Sequence, residues 1–204
     1  MERPGQDSSG GDPRQVLRDR TRGLAEIMVR PLARAGVSPN VLSLIGLCGM
    51  LGVALILALG HQRLGGLLII PVGLLDALDG ALARSTGKTS LFGAFFDSTL
   101  DRFAEIALYL GLLYLYRQDA MAIILVYLAI TGSLMVSYTR ARAEGLGLEC
   151  KVGLFTRLER LLTLVLGLLL NRVLLALLVL AVLSNLTAAQ RMWHVWRTVR
   201  RPRS

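Results

Sequence analysis

Cysteine and histidine are nearly missing from this chain: Cys48, Cys150, His61 and His194 stand singly and far apart in 204 residues. That excludes a disulfide framework and the close-spaced thiol or imidazole sets that hold zinc. Acids are scarce as well, 14 against 23 lysines and arginines, for a formal net charge of +9. The first 40 residues hold no apolar h-region, so no cleavable signal peptide is expected. Solenoid-type repeats are also lacking. Most informative, charge is absent throughout Val41–Gly60 and Ala120–Thr139. With 53% hydrophobic residues and a mean hydropathy of +0.55, the chain suits neither a soluble enzyme nor a disordered segment.

Each charge-free stretch, wound as a helix, is long enough to cross roughly 30 Å of hydrocarbon. Val173–Gln190 reads as another span. Leu64–Leu75, Phe103–Tyr116 and Leu161–Leu170 are apolar blocks that run into charged neighbours, as outer parts of helices with polar cytoplasmic ends would. The expected fold is therefore an all-α integral membrane protein with six transmembrane helices, near 41–60, 64–84, 92–116, 120–144, 155–171 and 173–195. With both termini cytoplasmic, the outer loops hold only Arg63, Arg117 and Arg172, and the other basic residues fall on the inner side. The expected location is the cell (inner) membrane, crossed several times, with the acidic region facing the cytoplasm.

Four segments are expected. Residues 1–12, rich in Gly, Ser and Asp, are expected to be disordered. Over 13–36, Val16, Leu17, Leu24, Ile27 and Leu32 alternate with Arg14, Arg18, Arg22, Arg30 and Arg34, the pattern of an amphipathic juxtamembrane helix on anionic membrane lipids. The membrane domain follows over 37–197. The basic tail, 198–204, reads as a membrane-surface signal and not as a nucleic-acid contact.

Against this oily background, Leu74–Glu105 keeps four aspartates: Asp76, Asp79, Asp97 and Asp101. On a helix Asp76 and Asp79 project about 60° apart and Asp97 and Asp101 about 40° apart, so each pair shares a face. If the polar turn at 85–90 joins antiparallel neighbours, the two pairs converge near the cytoplasmic surface. Four carboxylates in a low-dielectric setting would take up protons unless cations lie among them. All-oxygen ligands favour Mg²⁺, Mn²⁺ or Ca²⁺, and Mg²⁺ usually keeps positions open for substrate phosphates, so the pattern points to phosphoryl chemistry. Gly80 and Gly93 leave bare backbone beside the acids. Arg84, at the inner helix end, is suitably charged to hold a phosphate.

The run Asp76-x-x-Asp79-Gly80-x-x-Ala83-Arg84, then eight residues, then Gly93-x-x-x-Asp97-x-x-x-Asp101 resembles, without a departure, the signature of the CDP-alcohol phosphotransferase family. The resemblance implies six membrane helices, an amphipathic N-terminal helix and a homodimer. It implies that Asp76, Asp79 and Asp97 hold two Mg²⁺ ions, with Mn²⁺ possible, and that Asp101 adds a ligand and acts as general base. Asp79, Gly80, Ala83 and Arg84 would contact the cytidine diphosphate, with Gly93 giving it room. The implied reaction moves a phosphatidyl group from CDP-diacylglycerol, or its equivalent from CDP-archaeol, to an alcohol, releasing CMP.

The acceptor is read from arginine. Arg140 near the end of the fourth helix, Arg157 and Arg160 at the start of the fifth and Arg191 near the end of the sixth fall at the level of the aspartates. Such a cluster suits an acceptor with its own phosphate, since Arg binds phosphate through charge-assisted forks. These segments resemble the prokaryotic phosphatidylinositol-phosphate synthases of the family, which favours inositol phosphate. Phosphatidylglycerol-phosphate synthesis from glycerol 3-phosphate is the alternative that charge leaves open, and so is the choice between Arg157 and Arg160 as the nearer phosphate ligand. A divalent-cation carrier is the alternative of a different class, but it needs its carboxylates near the bilayer midplane.

Overall fold

The structure, a computed structural model, describes residues 28–200. The expected disordered start, most of the juxtamembrane helix and residues 201–204 lie outside the described residues. Within them the fold is all-helical, without a strand: α1 (Pro39–Ala58), α2 (Gln62–Ser85), α3 (Leu91–Leu115), α4 (Ala120–Gly145), α5 (Arg157–Leu169) and α6 (Val173–Arg200). Residues 28–34 are also helical. There Val29 is buried, with Leu32 and Ala33 packed beside Leu42, Leu78 and Leu82 of α1 and α2.

Local chemistry sets where the helices begin. Ser38 caps α1, its Oγ accepting from the Val41 N–H at 3.3 Å, and Pro39 occupies the first turn, where no N–H is needed. Ser90 caps α3 through the Gly93 N–H at 2.9 Å, and Asp119 caps α4 through Met121 and Ala122. At α5, Glu159 reaches back to the Thr156 N–H at 2.8 Å, one half of a capping box. The α2–α3 turn needs a left-handed residue and finds it in Gly87, at φ +66°.

By length and composition α1, α2, α4 and α6 can each cross a membrane. The other two are different in kind. α3 has the length but carries Asp97, Asp101, Arg102 and Glu105 along its first three-fifths. α5 has 13 residues, shorter than the 155–171 expected, because its capping box starts it only at Arg157 and Asn171 turns left-handed just past its end. Thirteen residues rise only about 20 Å.

α1 packs on α2 and α3, α4 packs on α6, and α5 bridges α2 and α6. Their apolar core joins Leu57, Ile69, Leu112, Val126, Leu168 and Leu177, one from each helix. Glycines set the closest approaches. A Cβ on Gly111 of α3 would collide with the carbonyl of Ala54 on α1, and one on Gly132 of α4 would lie 2.6 Å from Asn185 Nδ2 on α6. Leu55, Leu110 and Leu175 point outward, each 60% or more exposed, an exterior that lipid solvates better than water. Short connections alternate the helix directions. The end of α2, the start of α3, the end of α4, the start of α5 and the later part of α6 therefore share one side of the bundle.

Candidate active site

On that side the two aspartate pairs meet. Carboxylate oxygens of Asp76, Asp97 and Asp101 all lie within 4.8 Å of one another. Asp79 is buried and outside this trio. It accepts a 2.5 Å hydrogen bond from Ser43 Oγ of α1 and faces a cleft together with Asp97. The donor set is all oxygen, and Asp101 Oδ1 is buried without a hydrogen-bond partner. Both facts fit a hard divalent cation, which would satisfy the orphaned oxygen and offset the mutual repulsion of three acids. In this structure the positive charge comes from Arg157, whose Nη1 lies 2.9 Å from Asp76 Oδ2 and 2.5 Å from Asp101 Oδ2.

Two clefts flank the trio. The first, of about 580 Å³, is walled by Asp79, Gly80, Ala83, Arg84, Gly93 and Asp97, so all five residues expected at a cytidine diphosphate line one space. Space beside both glycines is tight. A Cβ on Gly93 would stand 3.0 Å from Ser90 Oγ, and one on Gly80 would stand 3.3 Å from Arg84 Nη1.

The second cleft, of about 940 Å³, gathers Arg140, Arg157, Arg160 and Arg191 with Arg102 and Ser137. Each arginine is held differently. Arg160, 2% exposed, forks onto Glu105 at 2.8 and 3.0 Å. Arg191 donates to the carbonyls of Val152, at 2.9 Å, and Val136, pinning the loop before α5. Arg140 pairs with Glu144 at 2.8 Å in the open. Arg102 donates to Ser137 Oγ at 2.7 Å, joining α3 to α4.

Glu105, Arg102 and Ser43 are among the polar residues of this site that the sequence reading did not single out. Glu105 left a usable signal, since it stands one turn after Asp101 on the same helix face. Arg102 adjoins Asp101 but belongs to a different face, and its partner Ser137 lies 35 residues away. Ser43 left none: it sits in a charge-free span 36 residues from Asp79.

Known proteins resemble this chain over the span that carries these residues. A family model described as CDP-alcohol phosphatidyltransferase matches residues 36–198. The chain is 37% identical over 181 residues to the archaetidylinositol phosphate synthase of Pyrococcus horikoshii, spanning 87% of this chain and 94% of that one. Two solved structures of Mycobacterium tuberculosis phosphatidylinositol phosphate synthase share the fold. The one with CDP-DAG bound superimposes with a TM-score of 0.78 at 31% identity, covering 84% of this chain and 93% of that chain. The one in complex with manganese and citrate gives 0.79 at 30%, covering 84% and 88%.

Proposed function

The chain belongs to the CDP-alcohol phosphatidyltransferase family, and on that premise we propose that it makes a phosphatidylinositol-phosphate-type lipid from a CDP-linked lipid and inositol phosphate, releasing CMP. One observation carries this reading. A cleft walled by the signature residues reaches the carboxylate cluster at Asp97, and an arginine-lined cleft reaches it through Arg157. The CDP-DAG in one relative's structure and the inositol phosphate in several relatives' names support the two substrates. CDP-diacylglycerol and CDP-archaeol are both suitable donors.

Asp76, Asp97 and Asp101 would hold two divalent ions, with Asp79 adding a ligand from the first cleft; Mg²⁺ is our choice, and Mn²⁺ an acceptable substitute. When bound, the ions supply positive charge to the diphosphate. The protein's own groups do the rest. Arg84 and the bare backbone at Gly80 and Gly93 seat the diphosphate and cytidine. Arginines of the second cleft hold the acceptor's phosphate and so aim its hydroxyl at the carboxylates. Asp101 takes the hydroxyl proton. The acceptor oxygen then bonds to the β-phosphorus, the bond to the α-phosphate oxygen breaks, and CMP leaves with that electron pair.

In this reading all six helices belong to the membrane domain, with both termini and the clefts on the cytoplasmic side and two copies associating as a homodimer. Water-soluble inositol phosphate and CMP exchange there while the lipid tails stay in the bilayer.

The acceptor is tested with purified protein, Mg²⁺, CDP-diacylglycerol, and either inositol phosphate or glycerol 3-phosphate. CMP should appear with inositol phosphate at a rate at least about tenfold higher, the preference that matched polar contacts confer. Product from glycerol 3-phosphate alone would reassign the acceptor. The first cleft is tested by Ser43→Ala. Losing a hydrogen bond to a buried charged group costs about 1.5–3 kcal/mol. The KM for the CDP-lipid should rise roughly tenfold while the acceptor KM holds. An unchanged CDP-lipid KM would remove Ser43 and Asp79 from the donor site.

A further inference from the structure

Arg157 and Arg160 stand almost one turn apart on α5, yet their guanidinium groups end on unlike partners. Arg160 grips Glu105 with two parallel bonds, and its side chain is 2% exposed. A buried fork of this kind is a fixed structure. Arg157 is 34% exposed and reaches with one nitrogen to Oδ2 of both Asp76 and Asp101. Those two acids belong to the trio that fits a divalent cation. A guanidinium 2.5–2.9 Å from these two carboxylates crowds the space among them that an ion would enter, and the like charges repel. On its other side Arg157 borders the arginine-lined cleft, so a short swing carries its charge toward a phosphate there.

We propose that Arg157 is an exchangeable counter-ion, an inference that rests on the function proposed above. It neutralises Asp76 and Asp101 until divalent ions enter, is displaced into the second cleft, and binds the acceptor's phosphate there. Ion binding and acceptor binding therefore strengthen one another, because each holds Arg157 in the same displaced position. Arg160, tied to Glu105, takes no part in the exchange. This separates the roles of two arginines that the sequence leaves equivalent.

The test follows free Mn²⁺ by electron paramagnetic resonance during titration of the full chain in detergent micelles, without the CDP-lipid. Arg157→Gln should tighten Mn²⁺ binding about tenfold, as when a binding-competent state rises from a tenth of the population to nearly all of it. Arg160→Gln removes the same charge from the same helix and should leave Mn²⁺ affinity within about twofold, because Arg160 blocks no cation position. Saturating inositol phosphate should tighten Mn²⁺ in the wild type and not in Arg157→Gln. If Arg157→Gln loses its native helical content, Arg157→Lys serves instead, since an ammonium lacks the planar fork and should release the carboxylates more readily. Unchanged or weakened Mn²⁺ binding in a folded Arg157 variant, or equal tightening by Arg160→Gln, overturns the exchange. A wild type that binds no Mn²⁺ overturns the proposed function itself, and the exchange with it.

Discussion

Asp101→Asn should stop the reaction, lowering the rate of CMP release by at least about a thousandfold. General-base catalysis alone contributes about 10²–10⁴-fold, and the same change removes one carboxylate from the cation cluster. Its Oδ1 is buried without a hydrogen-bond partner, and its Oδ2 meets Arg157, which borders the second cleft. Asparagine preserves shape but keeps only one acceptor oxygen and can take no proton at neutral pH. Folding should survive, because replacing a charged acid in a crowded acidic cluster relieves repulsion. The measurement is CMP formation from CDP-diacylglycerol, with circular dichroism and a thermal melt on the same sample. Turnover within tenfold of wild type in a folded variant would remove Asp101 from the chemistry.

Gly111→Leu should give the largest loss of stability. The atoms that a side chain at 111 would strike belong to the α1 backbone at Ala54, and backbone cannot rotate away as a leucine tip can. α3 would have to slide or lift from α1, and overpacking of this sort typically costs about 1–3 kcal/mol. For a chain of this size each kcal/mol moves the midpoint by about 2–4 °C, so an apparent Tm in detergent should fall by roughly 5–10 °C. Gly52→Leu is the control, because nothing lies within 4 Å of a Cβ there. Its Tm should stay within about 2 °C, as expected for an unpacked surface position. Equal losses from the two variants would show that the α1–α3 contact was not the cause, since leucine is a better helix former than glycine at either position. Activity should fall with Gly111→Leu as well, since α1 carries Ser43 and α3 carries Asp97 and Asp101.

What was legible in the sequence was whatever repeats locally. Charge-free runs of 20 residues marked α1 and most of α4 because a helix crossing lipid must satisfy its backbone internally and keep charge away. Spacings of three and four placed Asp76 with Asp79, and Asp97 with Asp101, since the helical repeat fixes which side chains share a face. The short turn between the pairs made their convergence a matter of chain reach. These rules involve neighbours only, so they needed no knowledge of the bundle.

Tertiary structure decided everything that one helix does to another. It joined Ser43 to Asp79 across 36 residues and brought Arg157 to Asp76 across 81. It also tied Arg160 to Glu105, so that two arginines three positions apart acquired different work. Such pairings depend on the rotation and depth at which helices pack, which are set by close contacts such as Gly111 on Ala54 and not by periodicity within either helix. The sequence could therefore determine the faces and their chemistry, while only packing determined which face meets which.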